Sequence, residues 1–341
     1  GVEMIDAKAF TLNGVTYLEG TIVIPMQQPY GNFAKALLER QRYPDLRDSS
    51  GNPISPYDVT AHTLPLLMGV EVKPAFSSFA YKQMKFEGTG GNGGCADGVP
   101  PRRAIYKSHV PSMDEGWTRW VLEQNRCINY LSLEDKEARA GNLRAKFDAI
   151  LIPDQTHRSI FEGHKKGTMP DEYTGGLGAE GVKALREFVE AGGTLVCLNK
   201  ASNFAVEQFN LPLRDVTAGL KRTEFFVPGS ILRTVLDTSH RVAAGMPKES
   251  IAWVEDSPAF EVSDAREAAR VRVIARYPEN ADPLLSGWLL GGDKLRGKAA
   301  LVEVTLGKGR VYLFGFRPQY RGQSLATYPL LFNAITTRSA Q

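Results

Sequence analysis

The sequence predicts an α/β protein with a doubly wound, mostly parallel sheet, a β-rich C-terminal part and a small α+β segment at the N-terminus. Three observations favour this class. After residue 102, strand patterns alternate with amphipathic helix patterns, which is typical of parallel strands joined by crossover helices. Residues 147–153 and 194–198 are nearly continuous apolar runs, as strands covered on both faces require. A glycine-rich stretch within residues 85–101 separates the N-terminal segment from the rest.

The N-terminal segment, residues 1–84, carries its own strand and helix patterns. Asn13-Gly14 is a strong hairpin turn, Glu19-Gly20 is a second candidate turn, and residues 21–24 form a strand pattern. Residues 32–42 show apolar positions at helical spacing behind an asparagine cap. We assign residues 85–101 to a linker or surface loop and residues 102–341 to one α/β domain.

The α/β domain begins with a regular alternation of elements. The predicted strands are residues 104–106, 127–131, 147–153 and 194–198, and the predicted helices are residues 114–124, a charged stretch after 131, and residues 180–191. The β-rich part closes with a hairpin of residues 299–304 and 310–316 around Gly307-Lys308-Gly309, followed by a helix at 328–336.

The composition argues against a nucleic-acid partner and against a membrane-spanning segment. The 341 residues carry 41 basic and 38 acidic side chains, and this near balance provides no concentrated field for nucleic acid. No apolar run reaches the roughly 20 residues that span a bilayer. Of the three cysteines, Cys127 and Cys197 read as small core residues, whereas Cys95 lies in the glycine-rich stretch.

Candidate site residues follow from the topology. Ligands of doubly wound sheets bind outside the carboxyl ends of the strands, at the point where the strand order reverses. The polar residues that follow the predicted strands are Lys107, Ser108, His109, Asp154, Gln155, Asn199, Lys200, Arg317 and Tyr320. The alternative interpretation is that these side chains cap helices and satisfy loop backbone groups.

The stretch "GGTLVCLNKAS" at 192–202 reads as a buried strand, a tight turn and a helix. In many α/β enzymes this turn carries the nucleophile. Here Asn199 occupies the turn, and Cys197 lies two residues earlier inside the apolar run. An amide is neither a useful nucleophile nor a titrating base, so we expect that the fold is kept and the reaction is lost.

Several strings resemble the C-terminal region of large bacterial proteins of the zinc carboxypeptidase (carboxypeptidase A-like) family. They include "VIPMQQPYGNFAKALLERQRYPDLR", "SMDEGWTRWVLEQ", "TMPDEYTGGLG" and "GKGRVYLFGFRPQYRGQ". The resemblance covers nearly the whole chain. It implies a flavodoxin-like domain similar to class I glutamine amidotransferases. It also implies a zinc-peptidase domain upstream of this chain, to which residues 1–84 would connect the flavodoxin-like domain. It also implies a secreted or periplasmic protein, although this chain contains no signal segment.

The departures from that family concern its chemistry. A zinc carboxypeptidase needs a His-x-x-Glu pair and a further histidine, and none of the five histidines is followed three residues later by glutamate. His157, Glu162 and His164 lie close in sequence but match no helical metal pair. We therefore expect no cofactor in this chain, and zinc only in the upstream domain.

Three functional hypotheses remain. The first is a noncatalytic accessory region that binds substrate, packs on the zinc domain or mediates assembly, including as a homo-oligomer. The second is a small-molecule amidase or hydrolase with a site around Ser108, His109, Asp114 and Glu115, although side chains adjacent on a strand point in divergent directions. The third is a sugar or cell-wall peptide surface built on tryptophans: Trp117, Trp120, Trp253 and Trp288.

Overall fold

A computed structural model describes residues 1–84, 102–126 and 128–336, so the predicted linker, Cys95 and Cys127 lie outside the described residues. The strands are β1 (Ile5–Ala7), β2 (Phe10–Leu12), β3 (Val15–Tyr17), β4 (Thr21–Val23), β5 (Arg103–Lys107), β6 (Leu131–Glu134), β7 (Ala149–Ile152), β8 (Thr194–Leu198), β9 (Leu213–Asp215), β10 (Pro228–Leu236), β11 (Glu249–Glu255), β12 (Phe260–Val262), β13 (Val271–Arg276), β14 (Leu284–Ser286), β15 (Ala299–Leu306) and β16 (Gly309–Phe314). The α-helices are α1 (Gly31–Leu38), α2 (Leu64–Met68), α3 (Met113–Val121), α4 (Asp135–Arg139), α5 (Leu143–Lys146), α6 (His157–Phe161), α7 (Gly178–Glu190), α8 (Ala201–Gln208) and α9 (Tyr328–Thr336).

One mixed sheet of 12 strands dominates the described part of the chain. Strands β6, β5, β7, β8 and β16 are neighbours in that order and run parallel. In chain order these five strands follow the 2-1-3-4-5 arrangement of flavodoxin-like doubly wound sheets. The predicted α/β class with a doubly wound sheet is therefore confirmed, although the sheet as a whole is mixed because the β-rich part adds antiparallel strands.

Both faces of the parallel part are covered, as the apolar runs require. In β8, Leu195 and Cys197 belong to a core shared with α7 and α8, whereas Val196 and Leu198 belong to a second core shared with α9. Successive strand residues point to opposite faces, so a strand buried on both sides must be apolar throughout. This arrangement leaves the ends of the strands as the place where polar side chains gather.

The β-rich part extends the same sheet. The hairpin of β15 and β16 runs from Leu301 opposite Phe314 to Leu306 opposite Gly309, as predicted. From β15 the sheet continues antiparallel through β13 and β10 to β11, while β12 and β9 lie on one side and β14 pairs with β10. Parallel and antiparallel parts thus share a continuous hydrogen-bonded ladder.

The N-terminal segment packs on the antiparallel part. The predicted turn at Asn13-Gly14 joins β2 to β3, and β1 pairs with β4. The backbone N–H groups of Thr60 and Ala61 both donate to the carbonyl of Gly229 at 3.0 Å. Gly229 has φ +80° at the start of β10, and a Cβ there would lie 2.7 Å from Val59. The division of the chain at 84 and 101 stays a prediction.

Two predicted elements differ in their bounds. The predicted strand at 127–131 lies later, in β6, because residues 122–126 extend α3 as a π-helical turn before the chain reaches the register of β5. The predicted helix at 32–42 runs from Gly31 to Leu38 as α1, so Asn32 lies inside the helix and the predicted asparagine cap is wrong. Beyond it, the backbone N–H of Gln41 donates to the Ser286 hydroxyl of β14 at 2.9 Å, which draws the chain out of the helix. Within the described residues, no helix is both long enough and apolar enough to cross a bilayer.

Candidate functional site

The candidate site lies outside the carboxyl ends of the parallel strands. The strand order reverses between β5 and β7, and this switch point is where doubly wound sheets bind ligands. Helix α3 follows β5, Asp154 follows β7, Asn199 and Lys200 follow β8, and Arg317 follows β16. Four of the predicted site residues, namely Asp154, Asn199, Lys200 and Arg317, are in direct contact there.

Asp154 is the centre of this network. Its Oδ1 accepts a hydrogen bond from the backbone N–H of Lys200 at 3.0 Å, and its Oδ2 accepts from Asn199 Nδ2 at 3.1 Å. Arg317 Nη2 also donates to Oδ2 in a short charge-assisted contact. Because both oxygens already accept hydrogen bonds, Asp154 is positioned to organise its neighbours and is poorly placed to remove a substrate proton.

Asn199 forms the turn after β8. Its φ of +50° lies in the left-handed region, which asparagine tolerates better than most residues. The side chain is fully buried, and its backbone N–H donates to the carbonyl of Phe314 at 2.8 Å. The Oδ1 atom is a buried acceptor without a partner among the described residues. The elbow conformation is therefore present, and an amide fills it.

Arg317 joins the network to residues beyond the predicted site. Its Nε lies 3.3 Å from Asp114 Oδ2, and its Nη1 donates to the Glu255 carbonyl at 2.9 Å and lies 3.4 Å from Glu255 Oε2. Gln319 donates to Thr118 Oγ1 at 3.1 Å and lies 3.4 Å from Asp114 Oδ1. The buried guanidinium of Arg317 thus forms ion pairs with three carboxylates, those of Asp114, Asp154 and Glu255.

The titration of Asp114 is displaced by this environment. Burial raises the pKa of Asp114 to about 6, an effect that Arg317 opposes and the neighbouring charge of Asp154 reinforces. Burial disfavours the charged form of Arg317, yet the carboxylates of Asp154, Asp114 and Glu255 leave its pKa raised. Arg317 therefore stays cationic, whereas Asp114 can carry a proton in mildly acidic solution.

Neither side chain that could replace the missing nucleophile is free to react. Cys197 is fully buried within β8, and burial raises the pKa of its thiol, so the reactive thiolate is disfavoured. Ser202 is also fully buried, and its hydroxyl lies within hydrogen-bond distance of two carbonyls, 3.0 Å from that of Cys197 and 2.9 Å from that of Phe314.

The other predicted residues lie around the crevice without joining the network. Ser108 Oγ accepts from the backbone N–H of Val110 at 3.0 Å, and Gln155 donates to the Val110 carbonyl at 2.8 Å. The His109 ring packs edge-on against Tyr173 with centroids 5.3 Å apart. Tyr320 stacks on the buried Trp253 instead of reaching the rim.

Sequence reasoning missed two members of the network and assigned a third to another site. Asp114 was expected only in the alternative hydrolase site with Glu115, which instead pairs with Arg119 on the same helix. Glu255 ends an antiparallel strand, β11, to which the strand-end rule for parallel sheets does not apply. Gln319 could have been predicted from the sequence, because it lies only two residues after Arg317 in the same strand-end loop.

The remaining sequence candidates are dispersed. Among the residues that the structure describes, no group of three or more histidine, cysteine, aspartate or glutamate side chains is arranged to hold a metal ion. His157 contacts Gln208, and His164 Nε2 lies 3.2 Å from the His109 carbonyl. Trp253 and Trp288 are core residues, so a platform of all four tryptophans is not formed.

Comparisons with known proteins show distant structural likeness only. No family model matches the sequence, and no curated protein matches it. A protein from Bacteroides uniformis described as ThuA-like is 12% identical and has a TM-score of 0.41, covering 69% of this chain and 90% of its own. A cytoplasmic protein from Salmonella typhimurium is 11% identical with a TM-score of 0.43, covering 70% of this chain and 100% of its own.

A third similar structure comes from Thermoplasma acidophilum and is described as a component of GMP synthase. It is 9% identical with a TM-score of 0.42, covering 70% of this chain and 94% of its own. At this level of likeness, the fold class rests on the strand order and register of the chain's own sheet. The resemblance to zinc carboxypeptidases finds no support in these comparisons.

Proposed function

We propose that this chain is a noncatalytic accessory region that binds substrate, packs against a neighbouring domain or mediates assembly. Asn199 is the observation that carries the proposal. Its amide occupies the turn after β8 and donates to Asp154, whose oxygens are already engaged by Lys200 and Arg317. Acyl transfer needs a nucleophile and a base at such a turn, and this network supplies neither.

The sequence resemblance extends the proposal to a parent protein. In this view the chain is the downstream region of an exported bacterial zinc carboxypeptidase, and its partner is the upstream domain that holds zinc. The chain itself would hold no cofactor, and self-association is one route by which it could act in assembly. Sedimentation of the purified chain tests self-association separately from activity.

A direct test is an assay for release of C-terminal residues from peptides by the purified chain. The measurement would be made with added zinc, with a chelator, and with a known zinc carboxypeptidase as the positive control. We expect no release above buffer in either condition. Robust turnover that the chelator abolishes would contradict the proposal.

The thiol can be tested in parallel. Ammonia release from glutamine by the native chain would be measured before and after alkylation with iodoacetamide, with peptide mapping to distinguish Cys197 from the other cysteines. We expect no ammonia and no label on Cys197, because its buried thiol is shielded. Labelling of Cys197 that abolishes ammonia release would restore an amidotransferase assignment.

The alternative hydrolase centred on Ser108 and His109 stays a prediction. The test is a screen of ester and amide substrates with the wild-type chain and with Ser108→Ala and His109→Ala. Activity that both substitutions remove would favour the hydrolase, and activity that neither changes would exclude this pair as its source.

A further inference from the structure

A cavity of about 580 Å³ adjoins the Arg317 network. Three separate segments line it: residues 55–58 of the N-terminal segment, residues 217–228 before and at the start of β10, and residues 255–257 at the end of β11 and just after it. Glu255 links the cavity to the candidate site, because it lines the cavity while its Oε2 lies 3.4 Å from Arg317 Nη1. The cavity is large enough for a small organic ligand.

Each acidic side chain in the lining takes part in an ion pair. Asp58 accepts two hydrogen bonds from Arg321, at 2.6 and 2.7 Å, and this contact lowers its pKa. Asp256 Oδ2 lies 3.4 Å from Lys200 Nζ, and Glu255 is paired with Arg317 as described. An ion-paired carboxylate retains lone pairs that can accept further hydrogen bonds. The wall therefore presents three carboxylates that can accept hydrogen bonds from a ligand.

Donor and apolar groups complete the lining. Arg222 donates to the Ser55 hydroxyl at 2.6 Å, and its guanidinium lies 4.4 Å from the centroid of the Phe226 ring. The guanidinium has five N–H groups, so others remain for a ligand. Leu220 and Phe225 add apolar surface next to these groups. Alternating acceptors, donors and apolar surface suit a molecule whose carbon skeleton carries many hydroxyl groups.

The charges in and around the cavity favour a neutral ligand over an ionic one. The lining holds three carboxylates, Asp58, Glu255 and Asp256, and one guanidinium, Arg222. Each of these carboxylates pairs with a cation outside the lining, namely Arg321, Arg317 and Lys200. Such a near-balanced set attracts neither a cation nor an anion strongly.

We propose that this cavity binds a neutral polyhydroxylated ligand of the size of a mono- or disaccharide. This inference deepens the accessory role proposed above and rests on it in one respect, that the ligand is bound without reacting. Hydroxyl groups of the ligand donate to Glu255 and Asp256 and accept from Arg222, while its C–H groups pack on Phe226 and Leu220.

Titration calorimetry and saturation-transfer NMR on the full chain test the proposal. The neutral probes are glucose, galactose, mannose, N-acetylglucosamine, cellobiose and maltose, and the charged probes are spermidine and citrate. We expect at least one neutral sugar to bind, and neither charged probe to bind as tightly. Absence of binding by every sugar, or tighter binding of spermidine or citrate, overturns the proposal.

Two substitutions locate the binding. Asp256→Asn removes a charged acceptor at an exposed position whose φ of +46° asparagine tolerates, and Arg222→Gln removes the donor fork. Each should weaken sugar binding about tenfold or more, while Asp293→Asn, an exposed ion-paired aspartate outside the lining, should leave it unchanged. Equal affinity in all variants, with circular dichroism confirming their fold, places the sugar elsewhere and overturns the assignment.

The same NMR samples separate this inference from the accessory role. Sugar that is bound and recovered unchanged supports both. Sugar that is bound and converted to product contradicts the noncatalytic role but leaves the cavity assignment standing. Absence of binding removes the cavity assignment alone, because the accessory role is tested by the peptidase and ammonia assays.

Discussion

Asn199 explains how an elbow conformation can persist without catalysis. Six described non-glycine residues have positive φ, and four of them are asparagines: Asn13, Asn142, Asn199 and Asn210. The left-handed backbone at position 199 therefore follows from asparagine's ordinary preference and does not by itself mark a reactive residue. What distinguishes Asn199 is burial together with the hydrogen bond to Asp154.

Substitution of Asn199 should separate the backbone contribution from the side-chain contribution. Asn199→Gly loses the hydrogen bond to Asp154 but tolerates φ +50°, so we expect about 1–3 kcal/mol of destabilisation. Asn199→Ala loses the same bond and adds about 1 kcal/mol for the left-handed backbone. Urea unfolding of both variants measures the difference. Equal stability of the two would mean that the backbone strain is negligible.

The raised pKa of Asp114 predicts a pH dependence of stability. The folded carboxyl keeps its proton up to about pH 6, whereas the unfolded chain loses it near pH 4. The folded state thus binds more protons in this window, and the stabilisation is complete below about pH 4 and lost as pH rises through about 6. The loss amounts to about 2–3 kcal/mol at most.

Asp114→Asn removes this titration and provides the measurement. We expect the free energy of unfolding of the variant to rise relative to that of wild type between about pH 4 and about pH 7, because only wild type loses stability over this range. Asp293→Asn, whose exposed carboxylate lies outside the network, serves as the control. A constant difference between wild type and Asp114→Asn across this range would show that the site is more solvated than its burial indicates.

At the scale of elements, helix α3 is tied to the loop after β7 by its N-cap residue. Ser112 caps the helix by accepting from the backbone N–H of Glu115 at 3.2 Å, and its hydroxyl donates to the Asp154 carbonyl at 3.0 Å. The acidic first turn of α3, Asp114 and Glu115, was evident in the sequence and favours the same helix start. The cap therefore ties Asp114 and Asp154 to one another.

Ser112→Ala should destabilise the chain more than loss of a cap alone. We expect the free energy of unfolding to fall by about 2 kcal/mol, because the variant loses both the cap hydrogen bond from Glu115 and the hydrogen bond to the Asp154 carbonyl. Thr156→Ala is the comparison, since Thr156 caps α6 by accepting from the Ser159 N–H at 3.1 Å, and its second contact, 2.9 Å to the exposed Ser159 hydroxyl, stays within the same turn. Guanidinium unfolding compares the two, and equal losses would indicate that the contact with Asp154 contributes nothing.

Sequence patterns predicted the long elements better than the short ones. Strands β7 and β8 were evident because both of their faces are buried, so their apolar runs are continuous. Strands β9, β12 and β14 have three residues each and take their conformation from neighbouring strands. The π-helical turn after α3 shifted the predicted second strand, because a short apolar run fits either helix or strand.

At the scale of the whole molecule, topology predicted four of the seven network residues. Asp154, Asn199, Lys200 and Arg317 follow parallel strands, so the strand-end rule placed them together. Glu255 reaches the same place from an antiparallel strand, and no periodicity in the sequence indicates that meeting. The cavity was equally hidden, because its lining comes from three segments that lie far apart in the sequence.

The packing of the N-terminal segment against the sheet can be tested by substitution of Gly229. Gly229→Ala imposes a side chain at φ +80° and within 2.7 Å of Val59, so we expect about 2–4 kcal/mol of destabilisation and faster proteolysis of residues 1–84. Gly219→Ala is the control, with φ +77° and open space around its Cβ. If both variants lose only about 1 kcal/mol of stability, the new side chain at position 229 is accommodated by a small shift of Val59 and the contact does not hold the segment in place.

The ladder that passes from β15 through β16 to β8 has a consequence for melting. Strand β16 pairs with β15 over six residue pairs and with β8 over five, so the two parts of the sheet have no seam between them. A scanning calorimeter should record one endotherm, with the van't Hoff enthalpy close to the calorimetric one. Two resolved endotherms would mean that the strands on either side of β16 melt as independent units.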